Sequence, residues 1–100
     1  MKIEITVDGG RAQVAPQGKV TVQTAPELEA SIAGLGENVS DIDIELTEVD
    51  YVSSAGLRVF VATSRLCMRR GGTFRLLHPT DDVYDVLEMT GLAEVLDVVR

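Results

Sequence analysis

A single cysteine, a single histidine, no tryptophan and four other aromatic residues remove several chemistries from this chain at the outset. With Cys67 alone, no intramolecular disulfide can form, and its place in a helical pattern points to a buried thiol rather than a reactive one. With His78 alone, neither a two-histidine metal motif nor a convincing Ser-His-Asp ordering is present, and the sequence before Pro79 reads as a turn. Gly9-Gly10, Gly18 and Gly71-Gly72 are dispersed turn signals, and none builds a phosphate-cradling loop. Asp43 and Glu45, at alternate positions of one segment, lack the further ligands of a metal site. These gaps point away from an enzyme, and no cofactor is expected.

Positive charge is also scarce. Nine lysines and arginines face sixteen acids, for a net charge of −7. Such a balance favours solubility and disfavours direct binding to nucleic acid or to anionic membrane. Arg65, Arg69 and Arg70 cluster on one helical segment, but no aromatic residues are interleaved to stack on bases. No stretch approaches membrane-spanning length, and Met1-Lys2-Ile3-Glu4 does not begin a signal peptide, so the cytoplasm is the expected compartment. One hundred residues suit one domain, 1–100, expected to be a monomer.

What is present is a regular alternation of short apolar segments. Lys2–Val7 alternates with period two, placing Ile3, Ile5 and Val7 toward a core, and Asp8-Gly9-Gly10 closes a hairpin. A second strand starts near Arg11, Pro16 and Gly18 interrupt it and predict a bulge or an edge position around them, and Val20 and Val22 resume the pairing. Thr24-Ala25-Pro26-Glu27 has the form of a capping box, opening a helix with Leu28, Ile32 and Leu35 on one face and Gly34 and Gly36 at its end. Residues 42–47 form a strand whose Asp43 and Glu45 point to a wetter face.

From about Ser54 to Arg69 a helix carries Leu57, Phe60, Val61, Ser64 and Met68 as a core-facing stripe, leaving Arg58 exposed, and Gly71-Gly72 stops it. Residues 73–77 give a strand. Thr80 or Asp81 caps a helix through Val83, Val86, Leu87 and Met89, and a short helical piece precedes a strand at Val98-Val99. The order β-β-α-β-α-β-α-β predicts an α/β fold, a small mixed sheet with helices mainly on one side.

The junction Ser53-Ser54-Ala55-Gly56 concentrates the functional interest. A serine before a helical run suits an N-cap, and Gly56 beside Ala55 leaves backbone that another surface could approach. A hydroxyl here reads equally as a cap or as a phosphorylation switch, and position alone does not choose.

The stretch Asp50–Phe60 resembles the STAS domain of bacterial anti-sigma factor antagonists. Thr24–Leu28, Gly71–Leu76 and Leu87–Leu92 resemble the same family in the expected order, so the resemblance covers essentially the full chain. It implies a STAS-like sheet backed by helices. The implied partners are a GHKL-type serine kinase that doubles as the anti-sigma factor and a PP2C-type phosphatase. It also implies a switch in which phosphorylation at the start of the serine-bearing helix weakens kinase binding.

The usual family pattern is Asp-Ser-Ser-Gly, with the acceptor next to the glycine. Here Ala55 occupies that position, so the resemblance assigns the phosphate to Ser54, with Ser53 as the alternate. The implied recognition face combines Thr21, Thr24, Ser53, Ser54, Ala55, Gly56 and Arg58. In Gly18-Lys19-Val20-Thr21, Thr21 stands where the family usually has an acid, which bears on partner choice. An alternative output within the family is a STAS-only regulatory or scaffolding subunit of a membrane transport or signalling complex.

Overall fold

A computed structural model describes residues 1–100. Strands β1 (Lys2–Asp8) and β2 (Arg11–Val20) form an antiparallel hairpin that turns through Gly9-Gly10, with Gly9 in the left-handed region that glycine favours. Helix α1 (Ala25–Ala33) follows, then β3 (Asp41–Glu45), β4 (Val49–Val52), α2 (Ser54–Arg69), β5 (Phe74–Leu77), α3 (Asp81–Met89), α4 (Leu92–Val95) and β6 (Asp97–Val99). The sheet runs β1-β2-β3-β5-β6, with β4 beside the far end of β2; every pairing except β1 with β2 is parallel. This is the expected mixed sheet with its helices on one side.

The core explains the layering. Ile42 and Ile44 of β3, Phe74 and Leu76 of β5, and Ala12 and Val14 of β2 meet Leu28 of α1, Phe60 of α2 and Leu87 of α3 in one buried cluster. Such burial stabilises by roughly 25 cal/mol per Å² of apolar surface, so a residue as large as Phe60, fully enclosed, anchors α2 on the sheet. Cys67 is buried too, and burial pushes its thiol pKa up, which favours the uncharged form.

The structure corrects several sequence expectations. β2 is not broken at Pro16. It runs on to Val20, and Pro16 falls between the part paired with β3 and the part paired with β4, where neither parallel neighbour needs its missing N–H. The register shifts between Gly18 and Lys19, where a bulge is expected, and Val20 resumes the pairing while Val22 does not. A separate strand, β4, was not expected after Leu46.

Ile5 and Val7 oppose buried Val14 and Ala12 but remain 40% and 53% exposed, because they lie on the edge strand. The inner face of α2 runs through Gly56, Leu57, Val59, Phe60, Thr63 and Cys67, while Met68 is exposed, as is Met89 on α3. Thr24 forms no side-chain cap: its oxygen is turned back to the end of β2, accepting from the Thr21 N–H at 2.8 Å and donating to the Lys19 carbonyl at 2.7 Å. Thr80, in contrast, caps α3 by accepting from the Val83 N–H.

Asp43 is the largest departure. Expected on a wet face, it is only 4% exposed. It lies opposite Gln13 and Arg75 at the sheet centre and accepts from Arg75 Nε and Nη2, both at 2.8 Å, and from Arg11 Nη1 at 3.0 Å. Burial pushes its carboxyl pKa up, but the hydrogen bonds from Arg75 and Arg11 outweigh this and hold it below the usual range.

Asp43→Asn is therefore expected to destabilise the fold by about 2 kcal/mol at neutral pH. Because the folded carboxyl ionises at lower pH than the unfolded one, its contribution is complete above about pH 4 and is lost as pH falls through the folded pKa. Urea unfolding of both proteins across this range checks it: the gap should narrow in acid, and a constant gap would assign the loss to packing.

Candidate functional site

The start of α2 is held by three constraints that the local sequence supplies. Val52 ends β4, and the Ser53 N–H donates to the Val20 carbonyl at 2.8 Å, tying the junction to β2. Ser53 is extended (φ −83°, ψ 173°), and its Oγ accepts from the Gly56 N–H at 3.4 Å, so Ser53 is the helix cap. Gly56 is buried: a Cβ there would lie 2.7 Å from Val20 Cγ1 and 2.8 Å from Val52 Cγ1. The close approach that Gly56 permits is thus between α2 and its own strands, not with an outside surface. Its place in the expected recognition face is indirect.

Ser54 is the first helical residue and is exposed, and its hydroxyl makes no hydrogen bond to the protein. No acid stands in the first turn of α2, so the unpaired helix N–H groups and the helix dipole leave this position favourable to negative charge. Arg58 lies four residues on, exposed and on the same helical face. The two serines therefore differ: Ser53 spends its oxygen on the fold, and Ser54 presents its own to solvent.

The loop after β2 closes the other side of this surface. Thr24 Oγ1 accepts from the Thr21 N–H at 2.8 Å, and Thr21 Oγ1 accepts from the N–H groups of Gln23 (3.1 Å) and Thr24 (3.3 Å). Both hydroxyls serve the loop backbone, so the two threonines shape this surface. The loop instead presents Val22, 73% exposed, which the sequence reading placed in a strand. Val22, Pro26, Ala55 and Arg58 line one shallow cleft of about 270 Å³ and so bring loop, α1 and helix start together. Nearby, Lys19 Nζ pairs with Asp50 at 3.3 Å, and Tyr51 is half exposed.

Elsewhere, no three His, Cys, Asp or Glu side chains are grouped so as to hold a metal ion. His78 lies on the connection after β5 with φ 53°, and its Nδ1 is 2.9 Å from Glu45 Oε1. Burial raises the Glu45 carboxyl pKa, but the Thr47 hydroxyl and His78 outweigh it and lower the value overall. This pair lies on the β3–β5 side of the molecule and joins no site with Ser54. No helix is long and apolar enough to cross a membrane.

Comparison with known proteins places this geometry in context. The STAS domain family model matches residues 2–100. The anti-sigma-B factor antagonist of Bacillus subtilis is 29% identical over 98 residues, covering 98% of this chain and 90% of the relative. Among solved structures, a Thermotoga maritima protein superposes with a TM-score of 0.89 at 20% identity, over 98% of this chain and 86% of the other. The Bacillus cell fate determinant SpoIIAA in its phosphorylated form gives a TM-score of 0.76 at 16% identity, over 99% and 92%. At these identities the two structures establish likeness of fold.

The different tasks of the serines are separable by substitution. Ser53→Ala is expected to destabilise the protein by about 1 kcal/mol through loss of the cap, whereas Ser54→Ala should stay within about 0.5 kcal/mol of the parent. Gly56→Ala should cost about 1–3 kcal/mol, because a methyl group would be forced onto Val20 and Val52. Chemical denaturation of the three variants checks the order; equal losses for the two serines would remove the assignment of Ser53 as the cap.

Proposed function

The chain belongs to the STAS domain family, and from that premise we propose that it is an anti-sigma factor antagonist in a partner-switching pathway. Its unphosphorylated form binds a GHKL-type serine kinase that is also the anti-sigma factor, and thereby releases the sigma factor. Phosphorylation of Ser54 by that kinase ends the complex, and a PP2C-type phosphatase restores the binding form. The observation that carries this reading is the exposed, unbonded Ser54 hydroxyl in the first turn of α2, next to a Ser53 already committed to the cap. The similarity to an anti-sigma-B factor antagonist and to the fold of a phosphorylated SpoIIAA supports it.

The mechanism follows from charge at a fixed place. A phosphate on Ser54 adds roughly −1.5 to −2 charges at neutral pH. The helix start and Arg58, one turn further on, stabilise it within the chain, so the fold tolerates the change. A partner packed against Ala55, Val22 and the exposed side of α2 meets new bulk, new charge and a phosphate that must be desolvated. Binding is then lost without rearrangement of the domain.

Calorimetric titration with the cognate kinase tests this. Ser54→Ala should bind like the parent protein, while Ser54→Asp should bind at least about tenfold more weakly, a difference of about 1.4 kcal/mol. Equal affinity of the two variants would refute the switch. Arg58→Glu should fold normally and weaken the same complex; unchanged affinity would take Arg58 off the recognition face.

A further inference from the structure

We propose that the outward ridge of α2, with the groove between it and α4, is a docking surface for an acidic, amphipathic segment of a protein partner. The ridge is unusual for this chain. Against a net charge of −7, the sixteen residues of α2 include Arg58, Arg65 and Arg69 and no acid. At positions i, i+7 and i+11 these arginines fall within about 40° of one another around the helix, a single stripe.

Their lack of partners sets them apart. Lys2, Arg11, Lys19, Arg75 and Arg100 each pair with a carboxylate of the chain, and Arg70 donates to the carbonyls of Gly36 and Val39. The side chains of Arg58, Arg65 and Arg69 make no ion pair and no hydrogen bond within the protein, although sixteen acids are present. Three guanidinium groups are therefore available to form paired hydrogen bonds with carboxylates; Glu29 of α1 lines the clefts beside Arg58 and Arg69 but pairs with neither.

Beside the ridge lies a groove of about 410 Å³. Its walls are Leu57, Val61 and Ala62 of α2 and Leu92 of α4, and Arg58 and Arg65 border it one helical stretch apart. Ala62, the small residue between these arginines, keeps the ridge low and also borders the cleft toward α1. Apolar walls with cations along one side fit a segment that carries apolar side chains on one face and carboxylates beside them. Helix-in-groove recognition uses this arrangement. A nucleic acid would use the charges but not the apolar walls, and the remainder of this acidic chain would repel it. Arg58 borders both this groove and the cleft beside Ser54, so the two surfaces share one cation.

The test is an NMR titration of the full-length, isotope-labelled chain with a designed helical peptide of about four turns, leucines on one face and glutamates flanking them. A lysine-for-glutamate peptide, a short DNA duplex and vesicles containing phosphatidylglycerol serve as comparison probes. The acidic peptide should produce saturable shifts at Leu57, Val61, Ala62 and Leu92, weakening as salt rises. The double variant Arg58→Gln, Arg65→Gln, with an otherwise parental spectrum, should lose about tenfold in affinity, and the lysine peptide should not bind. The proposal is overturned if the acidic peptide produces no saturable shifts at these residues or if the double variant binds it equally. It is also overturned if the duplex or the vesicles are the stronger ligand.

Discussion

The contact of Gly56 with Val20 and Val52 is the constraint from which the functional surface follows. Because residue 56 has no Cβ, the first turn of α2 can rest directly on the ends of β2 and β4. That seating sets the rotation of the helix about its axis. Ser53 is left at the strand end, where its oxygen reaches the Gly56 N–H, and Ser54 is turned outward. Arg58, Arg65 and Arg69 then fall on the solvent side, and Phe60 and Cys67 fall in the core. One missing methyl group thus decides which serine is structural and which is available for chemistry.

Much of this architecture was readable along the chain because it is encoded locally. The bounds of α2 follow from a serine cap, a sustained helical apolar period and the Gly71-Gly72 stop, and Gly71 adopts the left-handed conformation that stop requires. What was misread depends on residues distant in sequence. Asp43 looks wet from its own alternation, and it is buried only because Arg11 and Arg75 arrive from the two neighbouring strands. The Thr24–Glu27 pattern is a sound capping box in isolation, but the Thr24 hydroxyl turns back to the Thr21 N–H and the Lys19 carbonyl. Val49–Val52 buries both its ends and exposes the two residues between, so it shows neither strand nor helix periodicity.

The site shows the same division. The serine–glycine junction stands out in the sequence, yet the separation of duties between Ser53 and Ser54 turns on a one-residue offset that only the seated helix reveals. Thr21 and Thr24 belong to the expected recognition face, and their hydroxyls brace the loop that presents Val22. A charge added at Ser54 would therefore enter a surface capped from behind by Ser53, with Arg58 one turn further on. On the proposed reading, modification would change what that surface can bind and leave the domain in place, as a reversible partner switch requires.

The central claim is that the switch is Ser54 and not its neighbour. Incubating the protein with candidate GHKL-type kinases and ATP, followed by mass-spectrometric site mapping, tests it most directly. The account predicts one phosphate, carried by Ser54, with Ser53 unmodified. Phosphate on Ser53, or none on either residue with a kinase that binds the protein, would contradict it.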